Sequence, residues 1–159
     1  MKETQNKERN EPIKFKFKGD YNFLSNFYPA DIIYNGYTYH NNESAFQAQK
    51  EPTPEILEHF TTLTDPKVAK HDGGKNGKVR HLRRSWDDIR IGIMKEICWE
   101  KFTQHPELAD KLLETGNRPL WEVNGRDRFW GISKDGTKGQ NHLGKILMDI
   151  REELKERSK

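Results

Sequence analysis

Asn42-Glu43-Ser44-Ala45-Phe46-Gln47-Ala48-Gln49-Lys50 is the stretch on which the reading of this chain turns. Wound as an α-helix at about 100° per residue, it brings Glu43, Gln47 and Lys50 into one narrow arc with Phe46 on the flank. A carboxylate, an amide and an ammonium then share a face, and Ala45 and Ala48 are small enough to let the helix pack closely. Polar stripes with this spacing are common on solvated helices, so the stretch alone allows either an exposed back or a face turned toward a cavity.

Upstream, Asp31-Ile32-Ile33-Tyr34 and Tyr37-Thr38-Tyr39 flank Asn35-Gly36, the dipeptide that best tolerates the positive φ angles of a two-residue hairpin turn. Strand, turn and strand deliver the chain into the Glu43 helix, with Asn41 or Asn42 as its cap. Tyr21 to Pro29 fits neither helical nor strand periodicity. A loop carrying Tyr21, Phe23, Phe27 and Tyr28 must be packed or must bind something. Ile13 to Lys18 alternates apolar and basic residues, which predicts a strand with one buried face. Residues 1–11 have no apolar residue after the initiator and are expected to form a disordered arm.

Downstream, Pro52 and Pro54 close the helix, and a short one is expected from Glu55 to Phe60. Asp65-Pro66 starts another that runs to Gly73-Gly74. Lys75 to Arg84 is the basic cluster of the chain and contains no acid, which suits either a solvated loop or an anion-facing one. Ser85 with Asp88 resembles a capping box, and Trp86, Ile89, Ile93 and Ile97 recur at helical spacing toward Phe102. Met94 and Cys98 fall within this core helix as packing residues. A helix from Pro106 to Glu114, a strand at Leu120 to Val123 and a final helix with Leu143, Ile146, Leu147, Ile150 and Leu154 on one face complete the pattern. The Gly-rich loop ahead of that last helix, with Asn141 as cap, can serve backbone geometry or offer aligned N–H groups to phosphate. The expectation is a single small α+β domain over 12–155, mostly helical with a short antiparallel sheet and a hairpin, and a frayed end at 156–159.

With 159 residues the chain is one domain in size; 33% of residues are charged, but four Trp, five Tyr and eight Phe argue for a packed fold rather than disorder. A net charge of +3 is too mild to mark a nucleic-acid binder and suits an anionic ligand. The single Cys excludes an internal disulfide, and no apolar run long enough for a membrane span occurs, so a soluble cytoplasmic protein is expected. The six His are scattered, none at a metal-ligand interval, and neither a metal nor a cofactor is called for.

Four groups of residues together resemble the NADAR family, the YbiA-like N-glycosidases. They are Phe23-Leu24-Ser25-Asn26-Phe27, Glu43 with Phe46 to Lys50, Trp130-Gly131, and Gly139 to Arg151. The resemblance implies an enzyme that cleaves the C–N bond between a ribose and a nitrogen base. The substrates it implies are ribosylamino-pyrimidine phosphates of riboflavin synthesis or ADP-ribosylated guanine in DNA. Glu43 takes the place of the family's catalytic carboxylate, Trp130 that of a tryptophan beside the active site, and Lys50 that of the lysine ending the helix motif. The chain departs from the family pattern at Ser44-Ala45 and at Ile132-Ser133, which bears on substrate choice.

On this reading Glu43 stabilises the oxocarbenium-like transition state and orients water, Trp130 stacks on sugar or base, and Asp127 protonates the leaving group. Phe23, Asn26, Phe27, Gln47, Lys50 and Asn141 are the expected substrate-binding residues. Lys50, the Lys75–Arg84 cluster and the amides near Asn141 would hold phosphate. The rival is a module that binds ADP-ribose or a nucleotide without cleaving it; a nucleic-acid-binding domain using the basic cluster is weaker. Oligomeric state is not readable from the sequence.

Overall fold

The computed structural model describes residues 10–159, so the arm expected over 1–11 lies, through residue 9, outside the described residues. The alternation at 13–18 yields a strand of three residues, β1 (Ile13–Phe15), with both apolar side chains buried. Its partner β4 (Leu120–Glu122) pairs in parallel from Ile13↔Leu120 to Phe15↔Glu122, and the pairing ends there. Phe17, which the alternation placed on the buried side, is beyond the partner and stands 47% exposed. Between these strands come the hairpin β2 (Ile32–Tyr34) and β3 (Tyr37–Tyr39), then α1 (Asn42–Ala48), α2 (Pro54–Thr61), α3 (Pro66–Asp72), α4 (Trp86–Gln104) and α5 (Pro106–Glu114). After β4 the chain ends in α6 (His142–Arg157), so the fold is α+β with an antiparallel pair and a parallel pair.

These elements pack as two compact units, Asn26–His105 and the remainder, formed by the residues through Ser25 and Pro106–Lys159. In the first, Asn35 and Gly36 take φ of 49° and 87°, the left-handed values that a two-residue turn needs, and the hairpin closes in the register Ile32↔Tyr39. The free edge of β2 is covered by a side chain. Gln104 accepts the Ile33 N–H through Oε1 and donates to the Ile33 carbonyl through Nε2, both at 2.8 Å. α1 is buried along its whole length and packs against α2, α3, α4 and the hairpin. Asn41 caps it, its Oδ1 accepting the Ser44 N–H at 2.8 Å. The long α4 supplies Ile93, Met94, Ile97, Cys98 and Phe102 to the same core.

Lys101 is the odd member of that core. It is 1% exposed, and its ammonium lies 5.4 Å from the centre of the Tyr28 ring and 5.3 Å from that of Phe102. Burial pushes its pKa down from 10.5 to about 8. The unfolded chain therefore binds the proton more tightly, and stability rises with pH between about 8 and 10.5 as this cost is relieved. Lys101→Met is expected to raise stability at pH 7 by about 1–3 kcal/mol and to flatten that slope, as read by urea denaturation at pH 7 and pH 9.5.

In the second unit, α5 buries Leu108 and Leu112, and α6 buries Leu143, Ile146, Leu147 and Ile150 of the face that the spacing predicts, while Leu154, its fifth residue, is half-buried near the helix end. Arg151 is buried beside them and donates to Thr115 Oγ1 at 2.8 Å. α6 approaches β4 so closely that a Cβ on Gly144 would lie 2.0 Å from the Leu120 carbonyl oxygen. Among the described residues no helix is long and apolar enough to cross a membrane.

Candidate active site

Glu43 sits in the first turn of α1 and is 8% exposed. Its N–H donates to the Asn26 carbonyl at 3.2 Å, which ties the preceding loop to the start of the helix. One turn on, Gln47 donates from Nε2 to Glu43 Oε1 at 2.8 Å. The other amide atom of Gln47, Oε1, is buried without a hydrogen-bond partner. Lys50, just past the helix end, donates from Nζ to the Gly73 carbonyl at 2.8 Å, so its ammonium is held across to the end of α3. Burial lowers the Lys50 pKa, the Glu43 carboxylate raises it, and Arg90 lowers it again. Glu43 and Arg90 thus both act on Lys50 electrostatically, and the polar face of α1 points inward.

The loop that follows α3 is strapped to the same helix end. Glu51 Oε1 accepts the N–H groups of Arg80 and His81 at 2.7 and 2.8 Å, and the Lys50 carbonyl accepts that of Arg83 at 2.6 Å. Those two amides hold the Glu51 carboxyl below its usual range. The basic side chains of Lys75, Lys78, Arg80, Arg83 and Arg84 all remain exposed. Arg90, which the motif reading passes over, is four residues beyond the buried Trp86; the Trp86 ring packs 5.2 Å from that of Phe46. An arginine one turn after an inward-facing Trp is a usable signal for a partly inward cation.

Asn26 lies in a buried polar cluster. Its Oδ1 accepts from Asn42 at 3.1 Å, and its Nδ2 donates to Met94 Sδ at 3.5 Å. Phe27 beside it is half-buried. A groove of about 690 Å³ elsewhere in this unit is lined by Tyr34, Glu96, Trp99 and Glu100. It carries acids and no cation, so it does not suit an anionic substrate.

The other expected residues belong to the second unit. Phe23 is buried in the 3-10 turn Asn22–Leu24, with the Lys111 ammonium 5.6 Å from its ring centre. Trp130 is half-buried, edge-on to Phe129 at 4.8 Å and 6.4 Å from His142. Asp127 Oδ1 accepts the N–H groups of Phe129 and Trp130, both at 2.9 Å. That carboxylate oxygen shapes the turn that carries Trp130.

Two expectations for this loop are corrected. Asn141 stands at the cap position of α6 in a left-handed conformation, and its side chain makes no cap. Its Oδ1 accepts the Glu122 N–H at 3.0 Å and its Nδ2 donates to the Leu120 carbonyl at 2.9 Å, so it completes the edge of β4. Nor are the amides there open to phosphate. Those of Gln140, Asn141, His142 and Leu143 donate to the carbonyls of Arg128, Gly131, Phe129 and Trp130 at 2.8 to 3.1 Å. Ser85 likewise takes φ 61° and makes no side-chain cap on α4. Asn141→Ala strands a strand N–H and a carbonyl, and a loss of about 1–3 kcal/mol is expected by thermal or urea denaturation.

A family model described as the NADAR domain matches residues 14–155. The chain belongs to the NADAR family. A riboflavin biosynthesis protein of Vibrio vulnificus is similar to this NADAR chain at 39% identity over 148 residues, 92% of the chain but 39% of that longer protein. The N-glycosidase YbiA of Escherichia coli is 36% identical over 135 residues, covering 85% of the NADAR chain and 82% of YbiA. An N-glycosidase of Nostoc punctiforme is 34% identical over 144 residues, 89% and 90% of the two chains. The NMR structure of Escherichia coli YbiA superposes with a TM-score of 0.83 at 33% identity, over 94% of the NADAR chain and 88% of YbiA.

Proposed function

We propose that this chain is an N-glycoside hydrolase that breaks the C–N bond between a phosphorylated ribose and a nitrogen base, with Glu43 as the catalytic carboxylate. The observation that carries the reading is a buried carboxylate held by its own helix neighbour, Gln47, with the Lys50 ammonium on the same face. Relatives named as N-glycosidases and as a riboflavin biosynthesis protein support it.

In the proposed reaction the electrons of the C–N bond leave with the base nitrogen, which takes up a proton. Positive charge grows on the anomeric carbon, and a fixed carboxylate beneath it stabilises that charge more in the transition state than in the ground state. Water adds its oxygen to the same carbon and gives up a proton, for which Glu43 is the acceptor. Lys50 and Arg90 would hold the phosphate, with the exposed Arg80, Arg83 and Arg84 drawing the anion in.

A ribosylamino-pyrimidine phosphate is the first substrate to test and ADP-ribosylated guanine in DNA the second. Each is incubated with the protein, and released base and sugar are separated by chromatography and weighed by mass spectrometry. Free base from either one supports the hydrolase. Tight binding with no base released over hours favours a reader of nucleotides instead.

A further inference from the structure

Gly73 ends α3 with φ −85° and ψ −3°, an ordinary backbone conformation that any residue adopts. Backbone freedom is therefore no reason for a glycine here; space is. A Cβ at this position would lie 2.1 Å from Gln47 Oε1 and 2.7 Å from both Cβ and Cδ of Gln47. The contact with Cβ matters most, because that atom is fixed to α1 and a rotamer change of the amide cannot clear it. The carbonyl of the same glycine takes the Lys50 ammonium at 2.8 Å. Asp72, one residue before, accepts from His59 of α2 at 2.7 Å and from His71 at 3.2 Å, which fixes the end of α3 where Gly73 sits.

From this geometry we infer that Gly73 is a positioning residue for the reaction: its bare Cα seats the Gln47 amide against Glu43 while its carbonyl holds Lys50. The inference rests on the hydrolase reading given above. Gln47 then acts through Glu43 rather than on substrate. Its Nε2 is spent on the carboxylate and its Oε1 is buried against Gly73, so neither atom is turned to a ligand. The amide also restrains Glu43 to one rotamer, so that no reorganisation is needed when charge develops on the sugar.

The test is a double-mutant cycle on the full chain, with Gly73→Ala, Gln47→Ala, the pair together and Glu43→Gln as control, each followed by base release and by thermal melting. Gln47→Ala is expected to lower kcat roughly 10- to 100-fold with KM within about threefold of wild type, the pattern of lost positioning rather than lost binding. Gly73→Ala should cost at least as much in kcat and melt earlier than wild type. Gln47→Ala added to it removes the contacts with Oε1 and Cδ and keeps only that with Cβ, so the melting point should recover in part and kcat should come to that of Gln47→Ala alone. If Gly73→Ala does not fold, folding of the double variant supports the same clash.

The brace is overturned if Gly73→Ala matches wild type, if the two losses simply multiply, or if Gln47→Ala raises KM and leaves kcat alone. The control separates these failures from failure of the hydrolase reading. Wild-type turnover by Glu43→Gln removes the reaction role and the brace with it, whereas an inactive control beside an unaffected Gly73→Ala removes the brace only.

Discussion

Glu43→Gln is expected to bind substrate within a few-fold of wild type and to turn it over at least about 100-fold more slowly. The substitution keeps shape and volume and removes one charge. Gln47 Nε2 can still donate to the new amide oxygen, so the local packing of α1 is preserved, and loss of folding is not the expected outcome. On the proposed mechanism, what is lost is the anion that offsets positive charge at the anomeric carbon, and with it the acceptor for the water proton. Substrate affinity is assigned largely to phosphate contacts, which the change does not touch. Single-turnover rates beside equilibrium binding of the same ligand measure the split.

Lys50→Met carries the second-largest effect, and it falls on binding. Replacing a half-buried ammonium by a thioether of similar length leaves the Gly73 carbonyl without its donor and removes the cation assigned to phosphate. KM for a phosphorylated substrate should rise roughly 10- to 100-fold, the scale of one hydrogen bond to a charged group. The pH dependence gives an independent check. Burial lowers the Lys50 pKa, so the ammonium is lost, and KM rises, at a pH below the usual lysine range. Glu43 raises that pKa and Arg90 lowers it. The alkaline limb should accordingly move to lower pH in Glu43→Gln and to higher pH in Arg90→Gln, and a limb that ignores both changes would take Lys50 out of phosphate binding.

Local pattern carried much of this far. The hairpin was legible because Asn35-Gly36 names its turn type, and α1 because Asn41 and the offsets of Glu43, Gln47 and Lys50 set its start and its polar face. The parallel pairing of β1 with β4 was not, since three-residue strands separated by most of the chain have no turn to fix their register. Ser85 and Asn141 mislead for a different reason. Both residue types suit a cap, yet each takes a left-handed conformation, and Asn141 spends its amide on β4 rather than on α6. Gly73 reads as a helix stop in sequence, but its φ is ordinary and its purpose comes from Gln47, a neighbour that only tertiary packing brings near. Arg90 escapes notice because on a long helix rich in charge a single arginine looks like surface.

The most direct measurement is base release in water enriched in oxygen-18 by wild type and Glu43→Gln side by side, with the sugar product weighed. Hydrolysis at the anomeric carbon, served by the Glu43 carboxylate, predicts one labelled oxygen in the wild-type sugar and no release above background from the variant on the same time scale. Unlabelled sugar from wild type, or turnover of the variant at the wild-type rate, contradicts the account.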